Sequence, residues 1–303
     1  MSISHTNKRL AVIISTLLFV ILTLTLCANA TTYPLTVRDD LDRDVKFNRA
    51  PQRIISLASS HTEILYALGL EARIIALDDY SNYPVQTAQK SRVGNSQTPS
   101  LERIIAMQPD LILVGDVSDK ALVDQLAKLG LPALGFAPHN LAEVYEAIEI
   151  IGRLCDVEQR AAQIISSMKA TQAAVVATVK KSNNRPNVLF EVWCDPLYTA
   201  GPGSFIDELI TMAGGKNIAA DAKSAWPVLS LETAIAANPD VILTSLTVEQ
   251  SVVNQAHKAA WASVSAVKFG RVYVVDQDII SRPGPRITDG LLMIARLLHP
   301  ELF

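Results

Sequence analysis

Side chains able to bind a ligand stand just beyond the ends of several predicted strands. Ligands of open α/β sheets bind outside the carboxyl ends of the strands, so a binding cleft is expected at these positions. Aromatic rings supply large apolar contact areas and polar groups fix orientation, a combination that suits a large, partly apolar ligand. The candidates are Ser60 and His61, Tyr80 and Tyr83, His139, Trp193 and Tyr198, and Asp278 with Arg282.

The chain lacks the common signatures of catalysis. It contains no Gly-x4-Gly-Lys-Ser/Thr, no Gly-x-Ser-x-Gly and no His-Glu-x-x-His sequence. No closely spaced pair of carboxylates falls in a predicted cleft loop. The absence of an acid, base or nucleophile set argues against an enzyme, and we expect no catalytic residue, resident cofactor or metal.

A repeated segment predicts that the two halves of the chain are built alike. Residues 100–113 and 230–243 are identical at 9 of 14 positions, beginning with Ser-Leu-Glu and continuing through Pro-Asp. Such a long period indicates two similar lobes instead of a solenoid. Each copy puts a glutamate, Glu102 or Glu232, in the first turn of a predicted helix. By spacing alone, favourable interaction with the helix dipole and presentation to an arginine-bearing partner are equally good interpretations.

Short β-branched runs alternate with helical patterns, which predicts parallel sheets covered on both faces. Ser60 and Glu63 have capping-box spacing at the start of a helix. Asp156 and Gln159 mark another helix start, and the following run to Lys181 has neither Gly nor Pro. The expected organisation is an extension with a hairpin at 31–52, a lobe at 53–140, an inter-lobe helix at 141–185 and a second lobe at 186–303.

The first 30 residues have the pattern of an export signal. Lys8 and Arg9 precede an apolar run at 10–26, and Ala28-Asn29-Ala30 fits a small-x-small cleavage site. We therefore predict cleavage after Ala30 and a periplasmic location. A lipoprotein acylated at Cys27 is the less favoured alternative, because bulky Leu26 precedes that cysteine.

The charge of the chain excludes one class of partner. The formal net charge of −3, which becomes about −5 without the signal segment, gives no electrostatic case for binding nucleic acid. Two cysteines remain after processing, Cys155 and Cys194. An exported protein permits a disulfide between them, and two free thiols are at least as good an interpretation.

The segments that contain these residues resemble the periplasmic substrate-binding proteins of cobalamin, haem and iron-siderophore ABC importers. The resemblance is to the group with a helical inter-lobe backbone and covers about residues 53–302. It is carried by residues 53–57 with Thr62-Glu63, 79–84, 100–104, 198–201, 214–218, Trp226-Pro227 and 282–287. It implies an α/β fold of two Rossmann-like lobes joined by a long inter-lobe α-helix.

The resemblance also implies roles for individual residues. In this family two lobe glutamates dock on arginines of the membrane permease dimer, and Glu102 and Glu232 match them. The protein is then expected to be a monomer that delivers a large metal-chelate ligand.

The cobalamin-binding members are the most similar within the family. Tyr80, Tyr198, Trp226, Asp278 and Arg282 match positions that contact the corrinoid there. Tryptophans of that pocket are replaced near Ser96 and Gly115, and an aromatic pair by Ile279-Ile280. We therefore expect a corrinoid, with a ferric siderophore or haem as the alternative.

One different class stays open on the same two-lobed plan. In a chelatase-like metal enzyme, His61 or His139 would approach a carboxylate across the cleft.

Overall fold

The computed structural model describes residues 31–115, 120–247, 250–253 and 258–303. The predicted export signal, with its cleavage site at Ala30 and the alternative acylation site at Cys27, lies outside the described residues. Within the described part of the chain, no helix combines the length and apolar character needed to cross a bilayer.

The chain begins with the expected hairpin and continues into a five-stranded parallel sheet. In the hairpin, β1 (Leu35–Arg38) pairs antiparallel with β2 (Asp44–Phe47). The sheet has the order β5-β4-β3-β6-β7, and all residues of its central strands β3 and β6 are buried, as expected for a sheet covered on both faces. Its strands are β3 (Ile54–Leu57), β4 (Ile74–Leu77), β5 (Ser91–Arg92), β6 (Leu111–Val114) and β7 (Ala133–Gly135), with helices α1 (Ser59–Ala67), α2 (Leu101–Ala106) and α3 (Lys120–Lys128).

Two consecutive helices, α4 (Leu141–Leu154) and α5 (Glu158–Val179), connect the first sheet to the second. The 22 residues of α5 correspond to a helix of about 33 Å. The helix start predicted at Asp156 is confirmed to within two residues, since α5 begins at Glu158, and its N-cap Val157 makes no side-chain capping bond. Asp156 has a left-handed backbone (φ 58°) and accepts a hydrogen bond from the Thr31 amide at 3.0 Å.

The second sheet differs from the all-parallel prediction. Strands β12, β13 and β10 run parallel to β8 or to each other, but β9 is antiparallel to β8, and β11 is antiparallel to β9. The main order is β11-β9-β8-β12-β13. The strands are β8 (Asn187–Cys194), β9 (Leu197–Thr199), β10 (Lys216–Asn217), β11 (Val228–Leu229), β12 (Val241–Thr244) and β13 (Val272–Val274).

The sequence predicts helices of the second lobe near 204–213, 231–237, 249–260 and 286–298, and the first, second and fourth of these are confirmed. The helices of this lobe are α6 (Phe205–Met212), α7 (Leu231–Ala236), α8 (Lys258–Trp261), α9 (Ser265–Lys268), α10 (Gln277–Ser281) and α11 (Ile287–Leu298). The helix predicted near 249–260 was wrong for residues 250–253, which form turns, and correct for Lys258–Trp261, while residues 248–249 and 254–257 lie outside the described part of the chain. The last helix, α11, packs against α5, which ties the second lobe to the connecting helices.

A single apolar core joins the two lobes through α4 and α5. One cluster contains Ile54 and Leu111 of the first sheet, Ile148 of α4, and Val188 and Val241 of the second sheet. The residues that follow these in the strands belong to two smaller apolar clusters, one on the opposite side of each sheet. Ile55 and Ile112 lie in the first of these clusters, and Leu189 and Ile242 lie in the second. Since one continuous core spans both lobes, they are expected to move little relative to each other.

Cys155 and Cys194 do not form a disulfide, and Cys155 is buried while Cys194 is partly exposed. Burial raises the pKa of the Cys155 thiol to about 12, so it is protonated at neutral pH and poorly reactive.

Candidate functional site

The two copies of the repeat form equivalent helix starts. Ser100 Oγ accepts a hydrogen bond from the Arg103 amide at 3.4 Å, and Ser230 Oγ accepts one from the Thr233 amide at 3.1 Å. Each serine is thus the N-cap of a six-residue helix. Glu102 follows in the first turn of α2 and Glu232 in the first turn of α7, and both residues are exposed.

The Pro-Asp part of the repeat ties the segment after each helix to the start of a neighbouring strand of the sheet. Asp110 accepts a hydrogen bond from the Arg53 amide at 2.6 Å, just before β3. Asp240 does the same with the Asn187 amide at 2.8 Å, at the start of β8. The repeat therefore encodes a complete helix-to-strand unit with the same attachment in both lobes.

An aromatic surface lies on the antiparallel part of the second sheet. Trp193 stands opposite Tyr198, and Tyr198 stands opposite Val228. Directly opposed residues of antiparallel strands share one face, and these are 53%, 39% and 52% exposed. Trp226 precedes Val228 by two residues, continues the alternation and is 51% exposed. We call Trp193, Tyr198, Trp226 and Val228 the aromatic ledge.

Two of the three strands of the ledge, β9 and β11, were not predicted from the sequence, whereas the strand predicted at 188–192 is confirmed as β8. Tyr198 was expected in a loop, yet it is the central residue of β9. Strands of two and three residues are too short to show an alternating pattern, and a register irregularity lies between Glu191 and Trp193.

On the first lobe, Tyr80 lies in the turn after β4, with 60% of its surface exposed. The turn is anchored by Asp78, which is buried and accepts hydrogen bonds from the Tyr80 amide and the Ser81 hydroxyl. Burial raises the pKa of Asp78, although these two hydrogen bonds oppose the shift. The Ser81 hydroxyl is also 2.8 Å from that of Thr62 in α1. Tyr80 therefore presents an exposed ring on a turn that buried hydrogen bonds hold in place.

A buried carboxylate joins the first lobe to the second. Arg286 donates to Glu63 through Nη2 at 2.6 Å and Nε at 2.8 Å, and Arg282 Nη1 donates to Glu63 Oε1 at 3.1 Å. The guanidinium of Arg286 also lies 3.8 Å from the ring centroid of Tyr83. The predicted capping role of Glu63 was wrong, because α1 starts at Ser59 and has no side-chain cap.

The same network includes two of the predicted ligand-binding residues. Arg282 Nη2 is 2.8 Å from Asp278 Oδ2, and Arg282 Nη1 donates to Asn82 Oδ1 at 2.8 Å. Asn82 Nδ2 in turn donates to Asp278 at 3.2 Å. Because Asn82 follows β4 and Asp278 follows β13, these contacts bring the carboxyl ends of the two sheets together. We call Glu63, Asn82, Asp278, Arg282 and Arg286 the ionic seam.

Three members of the ionic seam were missed as functional residues. Glu63, Asn82 and Arg286 all fall within segments that carry the family resemblance, which is the signal that marked their neighbourhood. Nothing in their local spacing indicated that they would meet.

Ser60 and His61 lie deeper than a cleft surface requires. Ser60 is 7% exposed and His61 is 0% exposed, so the expected contact of His61 with a ligand is not available in this structure. Neither ring nitrogen of His61 has a hydrogen-bond partner among the described residues. Burial lowers the pKa of His61 to about 4, with the Phe136 backbone opposing the shift, so the ring is neutral at neutral pH.

The metal-enzyme alternative finds no support from the described side chains. His139 is exposed and His61 is buried, and the described part of the chain contains no group of three His, Cys, Asp or Glu residues placed to hold a metal ion.

Packing accounts for two departures from the cobalamin-binding pattern. A Cβ atom at Gly115 would lie 2.4 Å from the Cβ of Ala58, so a tryptophan at that position requires the first helix to move. Ile280 is fully buried in the common core. It therefore fills the protein interior and offers no surface to a ligand.

A two-lobed α/β molecule with a helical connection and aromatic side chains near facing sheet ends has the architecture of a solute-binding protein. The chain belongs to the periplasmic binding protein family, whose model matches residues 54–279. A relative from Bacillus subtilis, named as an uncharacterized ABC transporter substrate-binding lipoprotein, is 33% identical and covers 89% of this chain and 87% of its own length. A vitamin B12-binding protein of Vibrio cholerae is 31% identical over 82% of this chain and 89% of the relative.

Solved structures agree with this family. A possible iron-binding periplasmic solute-binding protein from Staphylococcus epidermidis superposes with a TM-score of 0.74 at 30% identity, covering 83% of this chain and 100% of that chain. The periplasmic vitamin B12-binding protein of Vibrio cholerae gives 0.72 at 28% identity, covering 82% and 97%. A periplasmic heme-binding protein from Roseiflexus gives 0.72 at 28% identity, covering 83% and 99%.

Proposed function

We propose that this protein captures a corrinoid between its lobes and delivers it to an ABC importer. The aromatic ledge carries this proposal, because three exposed side chains on one sheet face, with the exposed Trp226 next to them in the chain, suit a broad, flat ligand. The naming of relatives as vitamin B12-binding proteins supports the corrinoid class. Binding and release require no chemical step, as is typical of the substrate-binding proteins of this family.

The proposed ligand contacts follow the exposure of the side chains. Tyr198 and Trp226 of the aromatic ledge pack against one face of the ligand, and Tyr80 approaches from the first lobe. Asp278, whose side chain is 41% exposed, accepts hydrogen bonds from the periphery of the ligand. The side chain of Arg282 is 13% exposed, and its N–H groups donate to Glu63, Asn82 and Asp278. Arg282 can therefore make only a small contact at the periphery of the ligand.

Delivery is proposed to depend on Glu102 and Glu232. Two exposed carboxylates at equivalent helix starts fit a permease dimer that presents the same arginine surface twice. Charges at the rim of an interface set register and association rate more than raw affinity.

We further propose export with cleavage after Ala30. Acylation at Cys27 is the alternative, and the lipoprotein name of the Bacillus relative supports it.

Titration of the purified mature protein with cobalamin, cobinamide, haemin and ferric siderophores tests the proposed ligand class. We expect quenching of the ledge tryptophans and submicromolar affinity for cobalamin or cobinamide. Tight binding of a ferric siderophore together with no binding of either corrinoid would show that the corrinoid assignment is wrong.

Haem is the second candidate, favoured by the exposed phenol of Tyr80 and by the heme-binding structural neighbour. A tyrosinate is one of the known axial ligands of haem iron. If haemin binds, a Tyr80→Phe variant is expected to lose the charge-transfer bands of an iron–tyrosinate bond. Corrinoid binding should change little in the same variant, because the ring is retained.

A further inference from the structure

We propose that Glu63 is a positioning residue that sets the angle between the lobes before any ligand binds. It does so by holding two arginines of the second lobe, and it thereby fixes the width of the cleft. The part of the inference that concerns ligand affinity rests on the proposed function. The part that concerns the lobe angle does not.

The geometry of Glu63 is that of a buried anchor. Its side chain is 3% exposed, lies on α1 of the first lobe and accepts three hydrogen bonds from Arg282 and Arg286. Charge-assisted and bidentate pairs of this kind are stronger and more directional than neutral hydrogen bonds. Removing one partner of such a pair leaves a desolvated charge without compensation.

The charges of the ionic seam balance. Two carboxylates, Glu63 and Asp278, face two guanidinium groups, Arg282 and Arg286. Neutralising Glu63 leaves Arg286 with the ring of Tyr83 and the weaker attraction of Asp276, and leaves Arg282 with Asp278 and Asn82. The charged tie between α1 and the second lobe is then lost, because Glu63 is the residue of α1 that contacts both arginines.

The backbone between the two arginines is close to the first lobe as well. Gly284 lies so near Ser60 that a Cβ atom there would be 3.4 Å from the Ser60 carbonyl oxygen. The segment that carries Arg282 and Arg286 is therefore seated directly on the start of α1. Together with the common core through α4 and α5, the ionic seam makes a second attachment between lobes, and two attachments restrict rotation that one would allow.

Pulsed EPR on the ligand-free protein tests the lobe angle directly. Spin labels at Lys128→Cys and Lys268→Cys report on one exposed site in each lobe, in a Cys194→Ser background, because Cys155 is buried. We expect Glu63→Gln to lengthen and broaden the distance distribution. Glu71→Gln, at an exposed carboxylate near the same helix, is the matched control and should leave the distribution unchanged.

A conservative variant keeps the test decisive if Glu63→Gln folds poorly. Arg286→Lys retains the charge but loses the bidentate pair, and we expect it to broaden the distribution to a smaller extent. A distribution identical to wild type in a folded Glu63→Gln or Arg286→Lys protein would overturn the proposal.

Ligand kinetics separate positioning from general stabilisation. In Glu63→Gln, the dissociation rate of the corrinoid should rise about tenfold or more, and saturating ligand should return the lobe distance to its wild-type value. A lower melting temperature with unchanged lobe distance and unchanged dissociation rate would indicate a purely structural role and would contradict the proposal. If the distances shift but no corrinoid binds the wild type, the ionic seam stands and the proposed ligand class fails.

Discussion

The two lobes are alike in the repeated segments and unlike where their sheets meet. Ser100 to Leu113 and Ser230 to Leu243 share their N-cap, exposed glutamate and aspartate attachment. At the meeting edges, the first lobe supplies Tyr80 and a buried carboxylate, whereas the second lobe supplies the aromatic ledge and two arginines.

Under the proposed function, this difference separates two kinds of recognition. A permease of two like subunits would contact the same surface on each lobe. An asymmetric ligand between the lobes would contact different chemistry on its two sides. The comparison predicts that variants in the repeat alter delivery, while variants in the aromatic ledge alter capture.

The largest expected effect comes from reversing both repeat glutamates. Glu102→Arg with Glu232→Arg places like charges against the proposed arginines of the permease, and like-charge contact costs several kcal/mol. We expect uptake into proteoliposomes to fall by about 100-fold or more, while corrinoid affinity of the free binding protein is unchanged.

Two further variants control this experiment. Asp124→Arg, on the exposed side of α3, adds the same charge elsewhere on the first lobe and should leave uptake intact. The single variants Glu102→Gln and Glu232→Gln should reduce uptake by similar amounts, because the two helix starts are equivalent. Normal uptake by the double reversal would refute docking through these residues.

The second effect exploits a difference between the first helices of the two lobes. Helix α6 is capped by Ser204, whereas α1 has no side-chain cap and buries His61. The pKa of His61 is about 4 in the folded protein, against about 6.5 in an unfolded chain. The unfolded state therefore binds more protons between these values, and stability falls as the pH drops from 6.5 to 4.

This linkage costs the native state about 3 kcal/mol once the pH is below 4. His61→Leu should flatten the pH dependence of the unfolding free energy in that window, measured by urea titration against wild type. His139→Leu, at an exposed site, serves as the control and should follow the wild-type curve. If His61→Leu and wild type lose stability in parallel, the buried neutral imidazole is not responsible.

The smallest of the three effects concerns individual rings of the aromatic ledge. Burying an aromatic side chain against a ligand contributes about 1.5–3 kcal/mol, so Trp226→Ala and Tyr198→Ala should each raise the corrinoid Kd by about 10- to 100-fold. Isothermal titration calorimetry gives the affinities. Uptake should decline only in proportion to occupancy, and Phe269→Ala, at a ring 75% exposed outside the ledge, should bind normally. Unchanged affinity in both ledge variants would mean that the ligand does not rest there.

Much of the architecture was predictable because its signals are local. Two short apolar runs, at 54–57 and 111–114, predicted strands, and the Gly- and Pro-free run after Asp156 predicted a helix. The repeat is recognisable because its two copies share so many identical residues. Capping was less predictable: Glu102 and Glu232 were placed correctly in the first turns of their helices, but the capping-box spacing of Ser60 and Glu63 misplaced the start of α1 and the role of Glu63.

The sequence by itself determined two α/β lobes, their helical connection, the family and the pair of exposed glutamates, because each of these follows from neighbouring residues or from a recognisable motif. Only the tertiary structure decided what the lobes present to each other. The Glu63 contacts join residues 219 and 223 positions apart, and the aromatic ledge depends on the register of strands only two to eight residues long. Such contacts leave no period in the chain, because they are set by how the packed sheets and helices bring distant side chains together.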